Sequence, residues 1–147
     1  FTPGHASGHL CFLHHRTDAV FVGDLIASAG TILVNPPDGH MVDYLESLEL
    51  VRDLAPHAVY PAHGWMVTNP VERLQFYIDH RLKREERVFA ALQRYGKAAT
   101  VAEIVPDAYS DAPPAVWPIA ARSAEAHLLH LEELGRVVKV GARWVMP

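Results

Sequence analysis

The sequence predicts an α/β chain of two small domains, the second a winged helix. Three observations carry this expectation. Short apolar runs of strand character alternate with helical spacings in the first half. A helical pattern runs from Asn69 to about Tyr95. After Gly96 the order becomes helix, helix and two-stranded ribbon, the pattern of a helix-turn-helix variant with a wing.

Leu10 to Leu13 and Ala19 to Val22 are apolar runs parted by the polar Arg16-Thr17-Asp18, which predicts a hairpin. Ile26 to His40 holds Gly, Asn and a Pro-Pro-Asp-Gly turn, so it reads as a long loop. Met41 to Ala55 has apolar side chains at Met41, Leu45, Leu48 and Val51, a helical spacing that Pro56 ends. His57 to Tyr60 is a short strand, and Pro61 to Thr68 a loop. Asn69-Pro70 opens the long helix, with Asn as N-cap and Pro where its missing N–H breaks no bond. Gly96 closes it. The run Arg81-Leu82-Lys83-Arg84-Glu85-Glu86-Arg87 is densely charged. It predicts a solvated connector between a first domain, 1–80, and a second, 81–147.

Thr100-Val101-Ala102-Glu103 has the form of a capping box and opens a short helix. Asp107 to Pro114 is rich in turn residues. Val116 to Leu134 is helical, with Pro118 near its start and Gly135 at its end. Arg136 to Val140 and Arg143 to Val145 are strands about a Gly141-Ala142 turn.

The composition excludes several classes. In 147 residues, half are hydrophobic and a fifth charged, a globular balance far from disorder. The net charge of -4 gives no overall attraction to nucleic acid. No apolar stretch reaches the roughly 20 residues of a membrane span. The single cysteine, Cys11, cannot form an internal disulfide, which suits a reducing, cytoplasmic setting and a packing role. The opening Phe1-Thr2-Pro3-Gly4-His5 has no initiator Met and no signal-peptide pattern. It reads as the middle of a fold, so a fragment is expected.

Three short motifs bear chemistry. His5 follows a Pro-Gly turn in Thr2-Pro3-Gly4-His5 and precedes a strand. Asp24 sits just past the apolar strand Val20-Phe21-Val22-Gly23, with a glycine that allows close backbone approach. His63 follows the strand and turn Val59-Tyr60-Pro61-Ala62 and is followed by Gly64. Ligands collect at strand ends in α/β folds. Neutral imidazole and carboxylate suit zinc, and three ligands from separate loops fit a catalytic site better than a closed structural one. Each motif is weak alone; their order and spacing together are specific.

In that combination the chain resembles the metallo-β-lactamase superfamily. The family pattern is an early His-x-His-x-Asp-His cluster, then a His, an Asp and a final His. His5, Asp24 and His63 match the last three. The resemblance implies the C-terminal half of a metallo-β-lactamase αββα sandwich followed by a winged-helix domain. It implies two zinc ions in the intact enzyme, with His5 at one, His63 at the other and a catalytic Asp24 bridging both. It implies hydroxide from zinc-bound water attacking an ester, thioester or phosphodiester. Tyr77-Ile78-Asp79-His80-Arg81, Arg84-Glu85-Glu86 and His127 to Val137 extend the likeness to the branch with a C-terminal winged helix. That branch includes a mitochondrial endoribonuclease and fungal thioesterases. One departure governs activity: the His-x-His-x-Asp-His cluster is absent from this chain. The expected partner is therefore the missing N-terminal half of the same fold, and the chain alone is expected to be inactive and to bind zinc weakly.

Among the ten histidines, His9 is placed to hold a ligand or touch substrate, and His40, closing the long loop, to border the cleft. His127 and His130 share a helix face with no third partner evident, which reads as packing. The third helix of the winged helix has Arg122 as its one basic residue against Glu125, Glu132 and Glu133, a poor phosphate reader. Covering the cleft or pairing two copies into a homodimer suits it better. The basic run Arg81, Lys83, Arg84 and Arg87 could meet an RNA backbone or stay solvated. The rival reading is a non-enzymatic winged-helix adaptor that binds nucleic acid or protein.

Overall fold

In the computed structural model, which describes residues 1–147, one sheet is built from Phe12–His14 (β1), Ala19–Gly23 (β2) and Ala58–Pro61 (β3). The strands lie in the order β1-β2-β3. β1 and β2 form the expected antiparallel hairpin, with Phe12 opposite Phe21. β3 runs parallel to β2, with Phe21 opposite Tyr60. A parallel pair needs a crossover, and the helix Met41–Asp53 (α1) supplies it.

The two faces of this sheet differ. Val20, Val22 and Val59 are fully buried on one face. Met41, Tyr44, Leu48 and Val51 of α1, with Leu74 and Tyr77 further on, complete this core. The Tyr44 hydroxyl donates to the Leu25 carbonyl at 2.7 Å, and the Tyr77 hydroxyl accepts from the Ala27 N–H at 2.8 Å. Each buried ring thus anchors the segment that leaves β2. On the opposite face Phe12, Phe21 and Tyr60 form an exposed aromatic row, 63%, 50% and 39% accessible. The rings of Phe21 and Tyr60 stack at 5.2 Å.

The chain divides into two compact units, Phe1–His80 and Arg81–Pro147. The boundary falls within the long helix Pro70–Tyr95 (α2). The second unit continues with Val101–Ala108 (α3), a short 3-10 turn Pro114–Val116, and Trp117–Glu133 (α4). The antiparallel strands Val138–Val140 (β4) and Arg143–Val145 (β5) form its wing. Glu103 reaches back to the Thr100 N–H at 2.7 Å, as the capping box predicts. The core of this unit gathers Val88, Leu92, Ile104, Leu128, Leu131 and Trp144. Ala99 pairs with Trp144 of β5 through two backbone hydrogen bonds and ties the wing to the segment before α3.

The charged run on α2 departs from the solvated connector expected. Arg81 and Glu85 are buried, 3% and 6% accessible, on the same helix face as Val88 and Leu92. Arg84 forks onto both carboxylate oxygens of Asp111 at 3.0 Å, and Arg87 reaches the same carboxylate. Hydrogen bonds from Arg84 hold the Asp111 carboxyl down to about 2. His127 and His130 do have a third partner, namely Glu85. His130 Nδ1 lies 2.6 Å and His127 Nδ1 3.4 Å from Glu85 Oε2.

Burial pushes the fully buried His127 below its ordinary 6.5, with its Glu85 hydrogen bond opposing. Burial also raises the Glu85 carboxyl, but hydrogen bonds from His127 and His130 outweigh it and hold Glu85 below 4.5. Both folded-state values lie below the unfolded ones, so both groups favour the folded state at neutral pH. That stability is lost as pH falls, first below 6.5 as His127 must charge, then below 4.5 as Glu85 must neutralise. Thermal melts between pH 7.5 and pH 5 therefore show a falling Tm for the natural chain. His127→Phe flattens that fall. An identical pH dependence in both proteins would contradict this assignment.

Candidate metal centre

The first loop is closed on itself before it presents a side chain. The Thr2 N–H donates to the His9 carbonyl at 3.1 Å, and the His9 N–H donates to the Ala6 carbonyl at 3.2 Å. Gly4 sits at φ +120°, and a Cβ there would stand 2.2 Å from the backbone nitrogen of Tyr44. Only glycine lets the loop lie this close to α1. The His40 N–H donates to the Gly4 carbonyl at 2.9 Å and holds that contact. His5, next in sequence, points its Nδ1 at the Leu33 carbonyl, 2.9 Å away. A carbonyl only accepts, so Nδ1 carries the proton and Nε2 of the neutral ring keeps its lone pair. Metal-ligating histidines are oriented this way.

The other two candidates meet where β2 and β3 end. A register shift between Phe21 and Gly23 offsets the ladder, which ends with Gly23 opposite Pro61, and Gly23 turns to φ +51°. The Ala62 N–H donates to the Gly23 carbonyl at 2.8 Å, so the segment before His63 is tied to the residue before Asp24. Beyond His63, Gly64 at φ +97° lets the chain press on Ser28, whose Oγ accepts from the Trp65 N–H at 3.0 Å. The outcome is His63 Nε2 at 3.2 Å from Asp24 Oδ1. Asp24 Oδ1 is buried and makes no hydrogen bond, although the His63 side chain is 73% accessible.

His9 joins these two regions. Its Nδ1 lies 3.0 Å from the Thr2 carbonyl, and its Nε2 accepts from the Asp24 N–H at 3.1 Å. Burial pushes its pKa below 6.5, against the raising effect of the Thr2 hydrogen bond. Its ring stands edge-on to His5 with centroids 6.3 Å apart. Asp24 and His63 are thus in direct approach, and His5 stands one imidazole away through His9. His40 is the N-cap of α1, 3.1 Å from the Asp43 carboxylate.

No group of three or more His, Cys, Asp or Glu side chains is arranged to hold a metal ion by itself. The residues present nonetheless fit part of a zinc site. Two donors on one tetrahedral zinc, each at about 2.0–2.2 Å, stand roughly 3.3 Å apart. The Asp24–His63 separation of 3.2 Å matches. A buried carboxylate oxygen without a hydrogen bond wants a cation or a donor. Thr2 and Ser28, which hold His9 and the His63 loop, escaped the sequence reading because neither carries a recognisable motif. Glu85 escaped it too, although the Arg81, Glu85, Val88, Leu92 periodicity could have revealed a buried face.

Residues 1–63 match the Metallo-beta-lactamase superfamily, and residues 100–144 match the Beta-lactamase associated winged helix domain. The chain therefore belongs to the metallo-beta-lactamase superfamily and carries the winged helix associated with it. A Beta-lactamase-like protein 2 homolog from Drosophila melanogaster is 31% identical over 92% of this chain and 45% of that protein. An Atrochrysone carboxyl ACP thioesterase from Aspergillus fumigatus is 34% identical over 71% of this chain and 35% of that protein. The chain spans less than half the length of these curated relatives. A metallo-beta-lactamase family protein from Thermus thermophilus shares the fold, with a TM-score of 0.84 at 24% identity, over 99% of this chain and 48% of that one. A Beta-lactamase domain protein from Burkholderia ambifaria gives 0.82 at 23% identity, over 99% of this chain and 46% of that one.

The close approach at Gly4 gives a direct check. Gly4→Ala combines a positive φ with a backbone clash. It lowers stability by about 1–3 kcal/mol or more in denaturant melts. An unchanged midpoint would show that the loop does not sit on α1 as described.

Proposed function

We propose that this chain supplies the C-terminal half of a zinc-dependent hydrolase that acts on an ester or thioester. The observation that carries this reading is the Asp24–His63 pair, with a buried carboxylate oxygen left without a hydrogen bond. His5, Asp24 and His63 would hold the zinc ions, and His5 is already fixed with Nε2 free to coordinate. When bound, zinc supplies Lewis acidity and lowers the pKa of a coordinated water to about 7. Asp24 Oδ1 is the anionic donor placed where such charge is needed. Its low solvation strengthens its hold on a cation. His63, largely exposed, is the donor that faces incoming substrate.

The three residues cannot complete two sites, since catalytic zinc usually takes three protein ligands and leaves a position open. The remaining ligands would come from an N-terminal half of the same fold. The exposed row of Phe12, Phe21 and Tyr60 supports such a partner, because aromatic rows on a sheet face favour burial. Among substrates, the relative named as a carboxyl ACP thioesterase favours an activated acyl group. RNA is less favoured: Arg81 is buried, and Arg84 and Arg87 are already engaged by Asp111. The same engagement weighs against a nucleic-acid adaptor. No helix is long and apolar enough to cross a membrane.

Two results test the reading. The chain alone, passed through gel filtration after zinc loading, retains no stoichiometric zinc and shows no hydrolysis of a thioester. Supplying the N-terminal half restores both. In that complete form Asp24→Ala lowers turnover by more than about a hundredfold, beyond what partners outside the ligand set contribute. Full activity of Asp24→Ala would remove the bridging assignment.

A further inference from the structure

We propose that His9 is a positioning residue, whose Nε2 holds the backbone of Asp24 so that the carboxylate stays turned toward His63. This rests on the metal reading for its purpose, but its geometry can be tested without any metal. The imidazole has a donor side and an acceptor side, and the two do different work. Nδ1 lies 3.0 Å from both the carbonyl and the hydroxyl of Thr2, and because the Asp24 N–H on the other side can only donate, the proton sits on Nδ1. Nε2 of the neutral ring is then an acceptor, and it meets the Asp24 N–H at 3.1 Å.

Two further features tie the ring to that peptide. Gly23 has no side chain where the ring lies; a Cβ there would stand 2.8 Å from His9 Nε2. The Gly23 carbonyl is taken by the Ala62 N–H at 2.8 Å. The Gly23–Asp24 peptide is thus gripped on its oxygen by the His63 loop and on its nitrogen by the His5 loop. The sheet supplies only the oxygen side of this grip: Gly23 pairs with Pro61 beyond the register shift, and Asp24 lies past the last strand pair. Without His9, the Asp24 N–H loses its partner. The backbone can then rotate to find water, and the carboxylate turns with it.

Two substitutions separate the halves of the imidazole. The amide of Gln reaches the place of Nε2, so His9→Gln keeps an acceptor for Asp24. The amide of Asn reaches the place of Nδ1, so His9→Asn keeps the donor to Thr2 and loses the Asp24 bond. In the natural chain, NMR is expected to show a scalar coupling through the hydrogen bond between the Asp24 amide nitrogen and His9 Nε2. Amide exchange at Asp24 is expected to be slow in the natural chain and in His9→Gln, and about tenfold faster or more in His9→Asn. Circular dichroism controls for folding. With cobalt(II) as the probe, His9→Asn weakens binding about tenfold, the lower end of what partners outside the ligand set contribute. His9→Gln stays within a few-fold of the natural chain.

Absence of the coupling overturns the proposal, even if His9→Asn fails to fold. So does equal Asp24 exchange in two folded variants. If no cobalt binds even when the N-terminal half is supplied, but the coupling and exchange pattern hold, the His9 role stands and the metal reading fails. If cobalt binds equally to all three proteins and the exchange pattern is absent, the metal reading stands and the His9 role fails.

Discussion

The first unit depends on the peptide between Gly23 and Asp24. It lies at the end of β2, beyond the register shift, where Gly23 still pairs with Pro61 of β3 but Asp24 has no strand partner. Its carbonyl and its N–H are nevertheless both satisfied, by Ala62 and by His9. Buried backbone groups left unpaired would cost free energy comparable to a lost hydrogen bond. The loops that satisfy this peptide also present His63 and His5. The local demands of this strand end therefore gather the chemistry-bearing side chains. Gly4 and Gly64 allow the close backbone approaches that this gathering needs.

The second unit solves a different electrostatic problem. A carboxylate is unfavourable in a core unless it is paired and hydrogen-bonded. Glu85 is paired twice, by His127 and His130 from α4. The arrangement fixes α4 against α2 at one height, because the i,i+3 spacing brings both imidazoles to one oxygen. Outside, Asp111 engages Arg84 and Arg87, two of the four cations in the basic run of α2. A face that reads as cationic in the sequence is thereby occupied from within.

Much of the fold was legible in the residues. The hairpin, the crossover helix, the long helix opened at Asn69-Pro70, the capping box at Thr100 and the two wing strands follow from spacing and from Pro and Gly placement. These are local signals, and the structure realises them within a residue or two. Two kinds of feature were less legible. The burial of Arg81 and Glu85 was masked because their neighbours Lys83 and Glu86 are exposed, so composition hid the periodicity. The role of Thr2 in orienting His9 depends on a loop that closes through backbone hydrogen bonds, and no periodicity reports such a closure. The motifs indicated His5, Asp24 and His63, but not the order of approach. Asp24 and His63 are in direct proximity, whereas His5 is joined to them through His9.

These three side chains are read as one edge of a metal centre. Paramagnetic broadening by manganese(II), followed residue by residue in the NMR spectrum of this chain, tests that most directly. At the lowest manganese concentrations, signals of Asp24 and His63 are expected to broaden first and those of His5 with them. Glu46 and Glu49 on α1 and the His14-His15 turn should stay sharp. Broadening centred on those exposed groups, with Asp24 unaffected, would contradict it.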